Sequence, residues 1–371
     1  MNTELQQDID AMVDTVKRFT TERIAPHVNE WDEAGEFPRS LYREAAAVGV
    51  LGLGYPEALG GTPAPFALRN AVSTTMARCS GSGGLMASLF SLNIGLPPVL
   101  RGEKIAALAI TELGAGSDVA GLRTTARRDG GDWIIDGEKV FITSGMRADW
   151  ITTAVRTGEA GSKGAGGISM IVVPGDAAGL SRTKLDKMGW WCSDTAHLRM
   201  DGVRVPDRLL LGEEGGGFKI IMTNFNGERL GMSALALGFA QACFDEALDW
   251  ARQRKTFGSA LVEKQVIRHK LVDMQMRIAS TQAWLDAVTA LADDGKLESD
   301  PQCVAQVCML KNHATQTMQF CADQAVQILG GMGFMRGTRC ERIYREVKVM
   351  MIGGGAEEIM KDLAARQLGW Q

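Results

Sequence analysis

Apolar positions in the first hundred residues recur with the period of a helix. Leu5, Ile9, Met12, Val13, Val16, Phe19 and Ile24 share one face with charges between them, which predicts an amphipathic helix over 5–24. Pro38 predicts a second helix that stops at Gly49, and Gly52, Gly54, Gly60 and Gly61 mark loops. Helix-like apolar segments resume from Phe66 to Leu96. Near residue 108 the period changes. Trp133-Ile134-Ile135, Trp150 to Val155, Ile168 to Val173 and Leu198 to Val205 read as short strands. Asp129-Gly130-Gly131 and Asp136-Gly137 read as turns, and Asp201-Gly202 interrupts the last strand. From Gly217 helical spacing returns in four long stretches, about 217–252, 259–294, 301–329 and 339–368. Gly258, Asp293-Asp294-Gly295 and Gly330-Gly331-Met332-Gly333 separate them. The order predicts an α+β chain with an N-terminal α-helical domain over 1–107, a central β-domain over 108–212 and a C-terminal α-helical bundle over 213–371. Strands do not alternate with helices, which argues against a doubly wound nucleotide-binding sheet.

Composition narrows the picture. Of 371 residues, 45% are hydrophobic and 23% charged, which excludes wholesale disorder. Forty Lys and Arg stand against 44 Asp and Glu, with no basic run, so neither nucleic acid nor an anionic membrane surface is an expected partner. Seven scattered cysteines lack CxxC spacing and four histidines form no HExxH, so neither a disulfide framework nor a metal site is expected. The polar start Met1-Asn2-Thr3-Glu4-Leu5 is unlike a targeting peptide, and a cytoplasmic location follows as an expectation. Cys79 to Leu100 is uncharged and of membrane length, yet its glycines, serines, Asn93 and prolines predict a buried helix instead.

Candidate chemistry sits in polar, glycine-flanked clusters. Leu113-Gly114-Ala115-Gly116 and Gly331-Met332-Gly333 contain GxG, but Val119 and Arg336 stand where GxGxxG needs its last glycine, so a Rossmann site is not expected. In Ala109 to Asp118, small residues let backbone N–H groups approach a polar ligand, and Thr111 and Ser117 add hydroxyls; an ordinary glycine-rich loop is the plainer reading. Lys139 to Gly145 offers an aromatic and a hydroxyl to a planar ring, or is simply a strand end. Arg254-Lys255-Thr256-Phe257-Gly258 with Gln265 offers basic groups to phosphate, or caps a helix.

In order and spacing, these three segments resemble the acyl-CoA dehydrogenase family of FAD enzymes. Lys187-Met188-Gly189-Trp190-Trp191-Cys192-Ser193-Asp194-Thr195-Ala196, Gln327 to Phe334 and Arg345 to Arg366 extend the resemblance over nearly the whole chain. It implies an α-domain, a β-domain and a C-terminal four-helix bundle. Thr111, Glu112, Gly116 and Ser117 match the loop that touches flavin and substrate. Phe141, where many relatives carry Trp, and Thr143 match the pair at the isoalloxazine. Arg254, Phe257, Gln265, Gln327 and Gly331 match residues reaching the FAD of a neighbouring subunit, which implies a homo-oligomer, usually a tetramer. Glu358 matches an FAD contact, Arg229 a residue beside the CoA moiety, and Ala356 replaces a usual Thr.

The family's reaction removes the α-proton of an acyl thioester and sends the β-hydride to flavin N5, yielding a trans-2-enoyl thioester. It needs a carboxylate base of raised pKa. Many relatives carry that Glu in a late Tyr-Glu-Gly-Thr run, whereas here Gly354 occupies the place. Glu228 in Asn226-Gly227-Glu228-Arg229-Leu230 lies where the isovaleryl-CoA and long-chain branches carry theirs; a solvated Glu-Arg pair is the plainer alternative. Gly354 is left as a backbone donor to the thioester oxygen. Acyl-CoA as substrate and an electron-transfer flavoprotein as acceptor follow by resemblance. A flavin oxidase or monooxygenase on the same scaffold is the alternative activity, and a DNA-associated flavoprotein is disfavoured by the pI of about 5.7. Trp190 and Trp191 either narrow the entrance or pack the β-domain. Only Val99, Leu100 and Arg101 join Leu96-Pro97-Pro98 to Gly102-Glu103-Lys104, shorter than in the family, which implies a segment omitted or deleted.

Overall fold

The computed structural model describes residues 3–90, 96–158 and 164–370. Six helices come first: α1 (Thr3–Phe19), α2 (Val28–Ala34), α3 (Ser40–Ala47), α4 (Phe66–Ser80), α5 (Gly83–Phe90) and α6 (Pro97–Leu100). The strands β1 (Ala106–Ala109), β2 (Thr125–Asp129), β3 (Asp132–Thr143), β4 (Trp150–Arg156), β5 (Ile168–Pro174), β6 (Leu180–Lys184), β7 (Thr195–Pro206) and β8 (Leu210–Leu211) follow. They form one sheet in the order β6-β7-β3-β2-β4-β5-β8, with β1 parallel to β4.

The rest is helical apart from one hairpin: α7 (Gly217–Gln253), β9 (Lys255–Thr256), β10 (Ser259–Ala260), α8 (Gln265–Asp293), α9 (Lys296–Ser299), α10 (Pro301–Leu329), α11 (Gly331–Phe334), α12 (Arg339–Ile352) and α13 (Glu357–Gln367). The predicted α+β order of helices, sheet and helices is the observed one.

Five expectations need correction. Asp136-Gly137 is not a turn, because it lies inside β3 where the register with β7 shifts between Ile135 and Gly137. A side chain at Gly137 would crowd Thr124, so the glycine serves close packing, and β7 runs unbroken through Gly202. The stretch 259–294 is helical only from Gln265, since Ser259-Ala260 pair back on Lys255-Thr256. The stretch 339–368 is broken at Gly353-Gly354-Gly355. The run Cys79 to Leu100 is not one helix: α4 ends at Ser80, Gly81 turns the chain at φ +57°, and α5 begins at Gly83. Residues 91–95 of that run lie outside the described residues. The connection after Leu96 closes as a turn, with the Gly102 and Glu103 N–H groups donating to the Val99 and Pro98 carbonyls at 2.9 Å.

One apolar core joins the first helices to the last. Val72, Met76 and Ala77 of α4 belong to the same cluster as Ala234, Leu237 and Ala240 of α7 and Met318 of α10. Gly238 sits where any side chain would strike the Thr74 carbonyl, so α4 and α7 cross closely there. The sheet keeps a separate core around Trp133, Ile135, Ile151 and Leu198. A third cluster joins Phe225 of α7 to Ile110, Ala115 and Leu122, seating that helix against the loop after β1.

Candidate active site

Glu228 stands about three turns into α7. Its side chain is open to water, yet the protein around it displaces bulk solvent and pushes the carboxyl above the usual range. The Arg229 charge pulls it back in part, and among the described residues no hydrogen bond to the carboxylate offsets the shift. The carboxyl is thus accessible to solvent while protein crowds it closely enough to disfavour its charged form.

Arg229 does not pair with its neighbour. Its Nε donates to the Gly354 carbonyl at 2.9 Å, its Nη1 reaches Asn226 Oδ1 at 3.3 Å, and its guanidinium lies 5.4 Å from the Phe225 ring centroid. The residue is buried, so the guanidinium expected beside CoA has an internal task in this chain. Gly354 also touches Met232, one turn beyond Glu228: a Cβ there would lie 2.7 Å from the Met232 sulfur. With φ +66°, the position suits glycine alone, so no base could replace Gly354 without moving the loop. Among the described residues nothing accepts the Gly354 N–H.

The loop after β1 is fixed from inside. Glu112 is buried, and its carboxylate accepts from Lys139 Nζ at 2.8 Å, from the Thr124 N–H at 2.9 Å and from the Arg123 N–H at 2.7 Å. Burial alone would raise its carboxyl, but the Lys139 charge and these bonds hold it below the usual range. Burial pulls Lys139 down to about 8 against the opposing pull of Glu112. The Glu112 side chain is therefore spent on shaping the loop. Gly116 and Ser117 stay exposed, and Thr111 is half-buried. The Thr111 carbonyl accepts from the Val140 N–H at 2.9 Å, joining this loop to β3.

At the end of β3 a register shift between Lys139 and Ile142 pushes Phe141 outward. Phe141 is 65% exposed at φ +63°, a conformation that costs a non-glycine residue about 1–2 kcal/mol. Ser144 holds the bend, its N–H donating to the Asp194 carbonyl at 3.0 Å and its hydroxyl to Ser88 Oγ at 3.3 Å. An outward aromatic and the half-buried Thr143, tied to the loop after β1 through the Val140–Thr111 bond, offer one face to a flat, hydrogen-bonding ring system. Trp190 packs inward against Gly83 and Gly84, and Trp191 is sandwiched by Arg336 and Arg345, so this pair packs the domain junction.

A second group lies elsewhere. Arg254 follows α7 some 26 residues after Glu228, roughly 39 Å along the helix axis. The α10–α11 end carrying Gln327 and Gly331 shares that neighbourhood, since Leu329 and Met332 line one cleft with Trp250 and Gln253. Arg254, Phe257, Gln265, Gln327 and Gly331 are all exposed, and the Phe257 ring is 99% so at φ +50°. One chain cannot bring these five to Glu228. Glu358 is exposed in the first turn of α13, on the Gly354 side.

Sequence reasoning assigned no task to Lys139, Met232 or Lys311. For Lys311 the signal was present: it interrupts the buried stripe Val307, Leu310, Ala314 and Met318 with a charge. No described helix is long and apolar enough to cross a membrane, and no metal-binding cluster occurs among the described residues.

Residues 6–102, 107–203 and 215–369 match, in turn, the N-terminal, middle and C-terminal domains of acyl-CoA dehydrogenase. The mitochondrial long-chain specific acyl-CoA dehydrogenase of Rattus norvegicus is 36% identical over 97% of this chain and 86% of its own. Cyclohexane-1-carbonyl-CoA dehydrogenase of Geobacter metallireducens is 33% identical over 98% of this chain and 97% of its own. A crystal structure of a putative acyl-CoA dehydrogenase from Mycobacterium smegmatis superposes with TM-score 0.93 at 42% identity, covering 98% of each chain.

Proposed function

This chain belongs to the acyl-CoA dehydrogenase family of flavoprotein oxidoreductases, and on that premise we propose that it desaturates the Cα–Cβ bond of an acyl-CoA thioester to a trans-2-enoyl-CoA, with Glu228 as the α-proton base. The observation that carries this reading is a solvent-accessible carboxylate, desolvated by the surrounding protein and without a hydrogen-bonding partner among the described residues, one helical turn from Met232, which borders Gly354.

The base works only while ionised, and desolvation makes the ionised form a stronger proton acceptor. Arg229, committed to Gly354, does not neutralise it at contact distance. The Gly354 N–H is the donor to the thioester oxygen, where negative charge develops as the α-proton leaves. Thr111, Ser117, Phe141 and Thr143 would hold an FAD ring, with Glu358 as a further contact; bound there, the flavin supplies the two-electron acceptor for the β-hydride. Gly116 lets the loop backbone approach, and Ser117 and Arg229 border the substrate. Arg254, Phe257, Gln265, Gln327 and Gly331 serve the FAD of a neighbouring copy, so the working unit is a homo-oligomer, a tetramer as the family resemblance implies. Arg suits the pyrophosphate because its fork holds two oxygens. An electron-transfer flavoprotein takes the electrons away.

The test is anaerobic titration of the FAD-loaded protein with short, long, branched and cyclic acyl-CoAs. Bleaching by one class names the substrate, and Glu228→Gln abolishes it with FAD retained. Normal bleaching of that variant defeats the base assignment. A wild-type flavin bleached by no acyl-CoA, but reoxidised rapidly by oxygen after chemical reduction, moves the protein to the oxidase class.

A further inference from the structure

Gly353-Gly354-Gly355-Ala356 joins α12 to α13, and three of its four residues have little conformational preference of their own. Whatever aims the Gly354 N–H must therefore come from outside the loop. Two buried cations do this among the described residues. Arg229 on α7 holds the Gly354 carbonyl at 2.9 Å. Lys311 on α10, wholly buried, donates from Nζ to the Gly355 carbonyl at 2.8 Å and to the Met351 carbonyl at 3.1 Å. Those two carbonyls bracket the loop, and Met351 lies in the last turn of α12, where carbonyls lack helical partners. The next residue, Asn312, continues the row by donating to the Glu357 carbonyl at 3.0 Å.

Lys311 is a costly way to cap a helix. Its Nζ bonds to carbonyls alone among the described residues, and burial, reinforced by Arg229 and opposed by Glu357, brings its ammonium down to about 8. A neutral donor would satisfy the same carbonyls without burying a charge.

We infer that Lys311 is a positioning residue of the active site: by gripping the Met351 and Gly355 carbonyls on either side, it anchors both ends of the short backbone segment that carries the Gly353–Gly354 peptide, and so orients the N–H that Gly354 presents to the thioester oxygen. The charge acts at the same place, since a positive end behind the loop favours the negative charge developing in front of it. This inference rests on the dehydrogenase reading above.

The experiment uses the FAD-loaded protein and begins with wild-type reduction by its best acyl-CoA. No reduction overturns the dehydrogenase reading and this inference with it; reduction at equal rates by wild type and Lys311→Met overturns this inference alone. The expected result for Lys311→Met is a kcat lower by about tenfold or more with KM changed by less than about threefold, at unchanged flavin content and melting temperature. The infrared carbonyl band of a bound 2-enoyl-CoA moves toward its position in free solution, and Lys311→Arg recovers part of both. Loss that follows flavin content or melting alone, with the band in place, makes Lys311 merely structural and overturns the inference. Should the Met variant not fold, Lys311→Gln is read by the same band, and an unmoved band is again the overturning result.

Discussion

Arg229 and Gly354 stand 125 positions apart in sequence and meet through a single hydrogen bond, Nε to carbonyl oxygen, at 2.9 Å. That bond turns the guanidinium away from its sequence neighbour Glu228. With Arg229 turned to the glycine loop, Glu228 keeps its negative charge unpaired at contact distance, and desolvation raises its carboxyl.

Replacing Arg229 by Met removes the one charge that lowers Glu228. The folded pKa of Glu228 then rises further, and a base must be ionised, so the acid limb of the kcat/KM profile moves to higher pH. The lost bond leaves a half-buried carbonyl unpaired and costs about 1–3 kcal/mol in denaturant unfolding. An acid limb that stays in place or moves down contradicts the electrostatic account.

Gly354→Ala forces a side chain into the left-handed region and against the Met232 sulfur at 2.7 Å. A loss of at least about 1 kcal/mol is expected from the backbone alone. Met232→Ala relieves the contact but not the φ strain, so Gly354→Ala lowers the melting temperature less in the Met232→Ala background than in wild type, yet still lowers it.

Phe257 is the reverse case. Its ring packs on nothing in the single chain and its φ is +50°, so Phe257→Gly stabilises an isolated chain or leaves it unchanged. The same change lowers flavin content per chain and weakens assembly, as read by sedimentation and by absorbance ratio. Full flavin content and unchanged assembly would remove the reason for the exposed ring.

Lys139 and Glu112 form a buried ion pair whose carboxylate also accepts two backbone N–H groups. Lys139→Met leaves the carboxylate buried without its counter-charge and costs about 3–5 kcal/mol. Adding Glu112→Gln recovers much of that in chemical denaturation, whereas equal losses in single and double variants would refute the coupling.

Glu346 on α12 is wholly buried and joins three parts of the fold, accepting the Gly83 N–H at 2.7 Å, the Gly84 N–H at 3.4 Å and the Trp190 N–H at 3.2 Å. Desolvation, with Asp32 adding, raises its carboxyl to about 7, while the Gly83 N–H, Arg342 and Arg345 pull the other way. The folded state binds its proton more tightly than the unfolded one, so this group's contribution is full below the unfolded carboxylate range and is lost as pH rises to about 7. Urea unfolding between pH 5 and 7.5 should show that loss, at most about 3 kcal/mol, and Glu346→Gln should flatten it. A slope unchanged in the variant assigns the pH dependence elsewhere.

The chain order of helices, sheet and helices was legible because the spacing of apolar residues is a local property. So were the glycine-flanked segments and the absence of Glu at 354, which directed attention to Glu228. Asp136-Gly137 misled because a bulge inside a strand uses the same residues as a turn, and only pairing with β7 distinguishes them. The single chain's separation of Glu228 from Arg254 by a helix length also follows from the sequence once α7 is seen as continuous. What the tertiary structure decided is where the charges go. Nothing near Arg229 in sequence says that it faces Gly354, nor does anything near Lys311 say that it holds the same loop, because both partners arrive in the loop after α12, at the far end of the chain. Local pattern sets which residues share a face, but burial and partner choice depend on packing between distant segments, and these set the ionisation of Glu228.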